Sequence, residues 1–200
     1  MRIHRLKFLF VLLGILVFCP AAHAVMMELS STDITEAVNT GAKYKDSDPI
    51  SFMNDLCAYR EVKADYYDIS AVLWTKYSLI AFDSLISAKR YQDFNLERLE
   101  MSSGYKMLEN DIVFYVLITS QHKDHLDDFK AVLKQRNKVL MTDVSVMKSL
   151  SDKQPDGLYY AVYHWGFPLK ELDLKSKVSL TVIPLMGKEQ VIEFDLYNIK

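Results

Sequence analysis

The densest group of residues able to do chemistry is the eight-residue segment Gln121-His-Lys-Asp-His-Leu-Asp-Asp128, which holds His122, His125, Asp124, Asp127 and Asp128. Imidazole nitrogen and carboxylate oxygen are the ligands that zinc and related divalent ions take. On a loop or short helix the three-residue histidine spacing brings both rings toward one ion. His164 is the remaining histidine beyond residue 24 and is the natural candidate to complete such a set. Lys123 lies inside the segment and opposes a cation. The competing reading is a solvated connection between strands, where polar side chains belong in any case. A divalent metal such as zinc is therefore the alternative reading of this cluster, and the sequence calls for no other cofactor.

A second candidate is aromatic. In the run from Leu158 to Pro168, strand alternation sends Tyr159, Tyr163, Trp165 and Phe167 to one face and Leu158, Tyr160, Val162 and His164 to the other. One face must meet a core. If Tyr159, Tyr163, Trp165 and Phe167 are exposed, they offer rigid amphipathic surface of the kind enriched at protein interfaces and ligand grooves. If both faces are covered, they are ordinary strand packing.

The other chemistry-bearing residues are weaker signals. Cys57, on one face of a helix with Ile50, Met53 and Leu56, reads as a small buried apolar residue rather than a nucleophile. Glu97 and Glu100 share a helical spacing with Arg98 beside them and read as solvated charges; Tyr66 and Tyr67, between Asp65 and Asp68, are a similarly suggestive group that points to no particular chemistry. The chain has no Gly-x-Ser-x-Gly elbow, phosphate-binding loop, dinucleotide glycine motif, His-Glu-x-x-His or Cys-x-x-Cys. The well-marked hydrolase, nucleotide and zinc classes lose ground accordingly. A triad assembled from distant residues would leave no such trace.

Positioning these residues requires secondary structure that the patterns outline. Ser31, Thr32 and Asp33 cap a short helix over 33–40, with Gly41 as its left-handed end, and Asp48-Pro49 starts another helix to Tyr59. Residues 69–75 read as a strand, and the helix after it runs to about Arg90 with Ser78 as its cap. A polar connection from Gln92 to Asn110 follows. Ile112 to Ile118 is apolar on both faces and predicts a central, doubly covered strand. Strands then follow over 129–133, 139–147 and 158–165, and alternation over 178–182 and 192–196 about Pro184 to Gly187 marks a hairpin. The expected fold is a β-rich α+β domain, an antiparallel sandwich-like sheet with short N-terminal helices packed on it. An open sheet covered by those helices is the alternative.

The first 24 residues fit an export signal: basic Arg2, Arg5 and Lys7, an apolar run of 11 from Phe8 to Phe18, and Ala22-His23-Ala24 as a cleavage site. That run is too short for the roughly 20 residues that cross a bilayer. Bulky Phe18 before Cys19 argues against lipidation there. The mature chain, residues 25–200, reads as one globular domain, helical to about 90 and strand-rich over about 110–200. It keeps Cys57 alone of the two cysteines, so it cannot form an internal disulfide.

Removing three basic residues and no acid leaves 21 Lys+Arg against 26 Asp+Glu, which gives no electrostatic reason to expect a nucleic-acid partner. Half the residues are apolar and a quarter charged, enough for a packed core and against a disordered chain. The expectation is an exported, periplasmic or secreted, non-enzymatic module that binds a protein or small ligand in the cell envelope or outside the cell, without stable membrane insertion. A metal-binding protein or metal-dependent hydrolase using the histidine cluster is the alternative.

Overall fold

The structure is a computed structural model that describes residues 28–142 and 148–199. The expected leader, residues 1–24, and residues 143–147 of the strand expected over 139–147 lie outside the described residues.

Each principal helix starts where a side chain can satisfy its orphan amides. Helix α1 (Ser31–Lys43) is capped by Ser30, whose hydroxyl accepts from the Asp33 N–H while the Asp33 carboxylate accepts from the Ser30 N–H. Helix α2 (Pro49–Leu56) has Asp48 as cap and its proline in the first turn. Helix α3 (Lys76–Lys89) is capped by Thr75; Ser78, expected as the cap, is instead the reciprocal partner three residues on. The connection expected to be merely polar contains two short helices, α4 (Leu96–Glu100) and α5 (Ser103–Met107), begun by Asn95 and Ser102.

Two antiparallel sheets form the rest. Strands β1 (Arg60–Lys63), β2 (Asp68–Trp74), β3 (Asp111–Ser120), β7 (Tyr159–Pro168) and β6 (Lys148–Leu150) make one, in that order. The other runs β5 (Lys138–Met141), β4 (Lys130–Gln135), β8 (Lys177–Ile183), β9 (Gln190–Asp195). The fold is thus α+β and β-rich, a sandwich with helices on its outer side. The second helix ends at Leu56 rather than Tyr59 because Ala58 turns left-handed (φ 46°) and the chain enters β1, a strand the sequence patterns did not announce.

Pleating divides the core in two. Ile112, Phe114, Val116 and Ile118 of β3 face the second sheet, joined by Ile69, Ala71 and Leu73 of β2 and met by Leu133, Leu180, Val182 and Phe194. On the other face Val72, with half-buried Trp74 and Tyr115, packs against Ala37, Phe52, Tyr77, Ile80 and Leu85 of the helices. The expectation of a central strand covered on both faces holds for β3 on its inner face and at Val113 on its outer face, where Tyr115 and Leu117 stay half-buried.

Helix α1 runs to Lys43, three residues beyond the expected end, and Gly41 serves a purpose other than the left-handed cap. A Cβ placed there would lie 1.9 Å from the Ala81 carbonyl oxygen and 3.0 Å from Ser84 Cβ, so α1 and α3 touch backbone to backbone at this point. The Ser84 hydroxyl donates to the Val38 carbonyl at 2.8 Å beside the contact. Gly41→Ala is expected to force the helices apart and destabilise the protein by about 1–3 kcal/mol or more, read as a lowered denaturation midpoint in urea. A midpoint equal to wild type would show that the helices are not in contact there.

Candidate functional site

The histidine cluster forms as a polar turn at one end of the sandwich. After β3 the chain makes a 3-10 turn over Lys123–Leu126, anchored by Leu126, which is fully buried. The His122 and His125 rings come within 4.9 Å of each other, and His125 meets the edge of Tyr66 at 5.4 Å. Buried Ser120 organises the group: its hydroxyl donates to the Tyr66 carbonyl at 2.8 Å, accepts from the His122 N–H at 3.2 Å and lies 3.3 Å from His125 Nδ1. With the Ser120 proton directed at Tyr66, the bond to His125 needs Nδ1 to carry hydrogen, which leaves Nε2 as the basic nitrogen. The same geometry makes Ser120 a structural hub and not an activated nucleophile.

A metal site does not assemble around this pair. Among the described residues no three His, Cys, Asp or Glu side chains come together to hold an ion. Asp124 and Asp128 are exposed, Asp128 with left-handed backbone (φ 56°), and Lys123 is directed to Asp152 at 4.0 Å. His164 cannot complete the set, for a reason that follows from the pleat. The inward neighbour Tyr163 donates its hydroxyl to the Leu126 carbonyl at 3.0 Å, so the turn lies on the face of β7 opposite to His164. His164 is instead half-buried against Tyr115, ring centres 5.0 Å apart.

The expected aromatic contact surface is likewise corrected. Tyr163, Trp165 and Phe167 are 5%, 3% and 0% exposed, and half-buried Tyr159 packs on the same core. The physical reason is coverage: β7 is paired on both edges and its inner face is roofed by the second sheet. The stacked pair Tyr163 and Trp165 (5.1 Å) is packing, with the tyrosine hydroxyl satisfied by backbone.

Burial also neutralises the remaining candidates. Desolvation pushes the Cys57 thiol up to about 12, partly offset by a hydrogen bond with Ser78, so the thiolate needed for nucleophilic attack is absent at neutral pH. His164 is held below the usual imidazole value by desolvation, and its Nε2 is buried with no hydrogen-bond partner among the described residues.

A concavity opens where neither candidate lies. A cleft of about 700 Å³, within the size range of ligand pockets, opens along one side of the sandwich where β1 ends one sheet and β9 ends the other. Its apolar lining is half-buried Leu56 and Ala58, backed by buried Phe194 and Ile199. Its polar lining is amphoteric: Arg60 and Lys177 against Asp55, Glu193 and Asp195. Asp55 accepts from the Tyr44 hydroxyl at 2.7 Å, and Asp195 from the Tyr197 N–H and the Asn198 amide at 3.2 and 2.9 Å. Arg60, Lys177 and Glu193 form no ion pair among the described residues. Arg60 shares its strand parity with Val62, yet its side chain is exposed and its guanidinium donates to the neighbouring Tyr59 carbonyl at 2.8 Å. Sequence reasoning missed this site because β1 is only four residues long, three of them charged, and shows no hydrophobic alternation.

No family model matches the chain, and no curated protein matches it. Among solved structures it is similar to the crystal structure of a DUF4426 family protein from Pseudomonas aeruginosa PAO1, at 11% identity over 68% of this chain and 93% of that one, with a TM-score of 0.31. No helix among the described residues is long and apolar enough to cross a membrane.

Two outcomes check the buried groups. Cys57 is expected to resist maleimide in the native state and to react stoichiometrically once the protein is unfolded; rapid native labelling would contradict its burial. Because the folded His164 value lies below the unfolded value of about 6.5, the unfolded state binds more protons between the two. Stability is then fully present above about pH 6.5 and is lost as pH falls through that window. Urea midpoints at pH 7.5 and 5.5 should differ less in His164→Phe than in wild type, and an equal difference would remove His164 from the acid response.

Proposed function

We propose that the mature chain, residues 25–200, is one exported globular domain that binds an amphoteric small ligand or protein segment in the cleft between β1 and β9 and has no catalytic role of its own. The observation that carries this reading is the cleft itself: charges of both signs beside half-buried Leu56 and Ala58, with Arg60, Lys177 and Glu193 in no ion pair among the described residues. Charges fixed around an apolar lining select a ligand by orientation, since each misplaced sign is repelled. The leader pattern at residues 1–24 supports export, and the acidic balance of the remainder speaks against a nucleic-acid partner.

Export is checked by expressing the full chain in a bacterial host and measuring intact mass in the periplasmic fraction. A product beginning at Val25 is expected, and an unprocessed chain retained in the cell pellet would count against the leader. Binding is checked by thermal unfolding of the exported protein against amino acids, dipeptides and capped charged peptides. A ligand at 100 times its dissociation constant stabilises the native state by about 2.7 kcal/mol, which raises the midpoint by several degrees. The shift should vanish in Arg60→Ala/Lys177→Ala, whose unliganded midpoint stays close to wild type because exposed charges contribute about 0–1 kcal/mol. A shift of equal size in the double variant would place the ligand elsewhere.

A further inference from the structure

The edge of β1 carries a pattern that the cleft does not use. The Ala64 N–H donates to the Tyr67 carbonyl at 3.0 Å, which fixes the hydrogen-bonding parity of the β1–β2 hairpin. With the register Arg60↔Ala71, Glu61↔Ser70, Val62↔Ile69 and Lys63↔Asp68, Arg60 and Val62 exchange hydrogen bonds with β2. Glu61 and Lys63 therefore turn their backbone N–H and C=O groups outward. Both residues are exposed, β1 is the terminal strand of its sheet, and these groups have no partner among the described residues. A free edge of this kind is a template for another strand.

The side chains state which strand fits. An antiparallel partner must place a base opposite Glu61, an apolar residue opposite Val62 and an acid opposite Lys63. Read in its own direction, that partner is acid, apolar, base, which is the order Glu61-Val62-Lys63 itself. A two-fold axis through Val62 makes the edge its own complement. The register this axis imposes pairs Glu61 with Lys63 of the other copy, the two residues whose backbone groups are free. Parity and charge, which are independent features, thus select the same alignment. It provides four backbone hydrogen bonds, two reciprocal Glu–Lys contacts on the outer face and a Val62 pair at the axis, and sets small Ala64 opposite long Arg60.

We propose that two copies of this chain associate through β1, joining their five-stranded sheets across a two-fold axis. Arg60, which lies opposite Ala64 of the other copy, also lines the cleft, whereas Glu61, Val62 and Lys63 do not, so variants at Glu61 and Lys63 test the dimer without altering the cleft lining. Four-residue strands bury little surface, which places the association in the weak, concentration-dependent class.

The test is sedimentation equilibrium of the exported protein from micromolar to about 1 mM, the range where such small interfaces associate. A monomer–dimer equilibrium is expected. E61K and K63E each set like charges opposite at two places and should weaken dimerisation at least about tenfold, while E61K/K63E restores the complement and should return to within about threefold of wild type. Glu61→Pro removes an amide that no strand within the molecule uses, so the variant should fold with a wild-type far-ultraviolet spectrum and remain monomeric. A monomer throughout the range, dimerisation insensitive to Glu61→Pro, or failure of the double variant to restore it would each overturn the proposal.

Discussion

Phe114 sits at the middle of β3 with no exposure, 5.9 Å from Phe167 in its own sheet and 5.0 Å from Phe194 in the sheet opposite. These edge-on contacts pin the two sheets together and fix which face of β3 looks inward. Because strand side chains alternate with a period of two, a slip of one residue would bring Val113, Tyr115 and Leu117 inward and expel four core residues. The long pairing with β2 and β7 transmits that choice to both neighbours. Burial of Tyr163 and Trp165, and exile of His164 to the opposite face, are consequences of where Phe114 points.

The two outer faces of the five-stranded sheet's centre and rim then meet different fates. Helices cover the outer face over β2 and β3, with Gly41 letting α1 approach α3 at backbone distance. Apolar side chains can thus occupy both faces of β2 and β3, with Trp74, Tyr115 and Leu117 on the outer face half-buried. Strand β1, at the rim, has charge at three of its four positions, a composition that keeps an open edge soluble and limits what can pair with it. The cleft exists because β1 and β9 end their sheets side by side without pairing, which leaves Ala58 half-buried between them.

How much of this was legible in the sequence depended on how local the cause was. Caps and turns are local: Asp48-Pro49, and the glycine of Pro184 to Gly187 with φ of 97°, act where they stand. Strand β3 was legible because coverage on both faces leaves a run with no polar interruption. Which face of β7 is buried was not legible, since both faces carry aromatics and the decision lies with the second sheet, brought in by residues distant in sequence. Gly41 illustrates the same limit: a glycine near a helix end fits a left-handed cap equally well, and only the position of α3 reveals the close approach. The histidine pair was rightly seen as adjacent, but adjacency of two rings does not supply the further ligands that a metal requires. The cleft left no local trace because its walls come from three separate segments and Arg60 from a strand too short to show a period.

Burial in this fold acts against reactivity in a consistent direction. It drives Cys57 toward the thiol and His164 toward neutral imidazole, in each case the uncharged form that a low-dielectric layer tolerates. Groups that chemistry would need charged are therefore silenced inside the layers, while charges that form no ion pair among the described residues stand at the rim: Arg60 and Lys177 beside Glu193, and Glu61 with Lys63 on the open edge. A single exposed pair of this kind adds little to affinity, on the order of 1 kcal/mol or less. Its value lies in alignment, because a strand edge offers its amides at fixed intervals and a misregistered partner meets like charge at the same interval. Recognition at such a rim is selective through register before it is strong, which is the behaviour a rigid sandwich with charged, unpaired edges can supply.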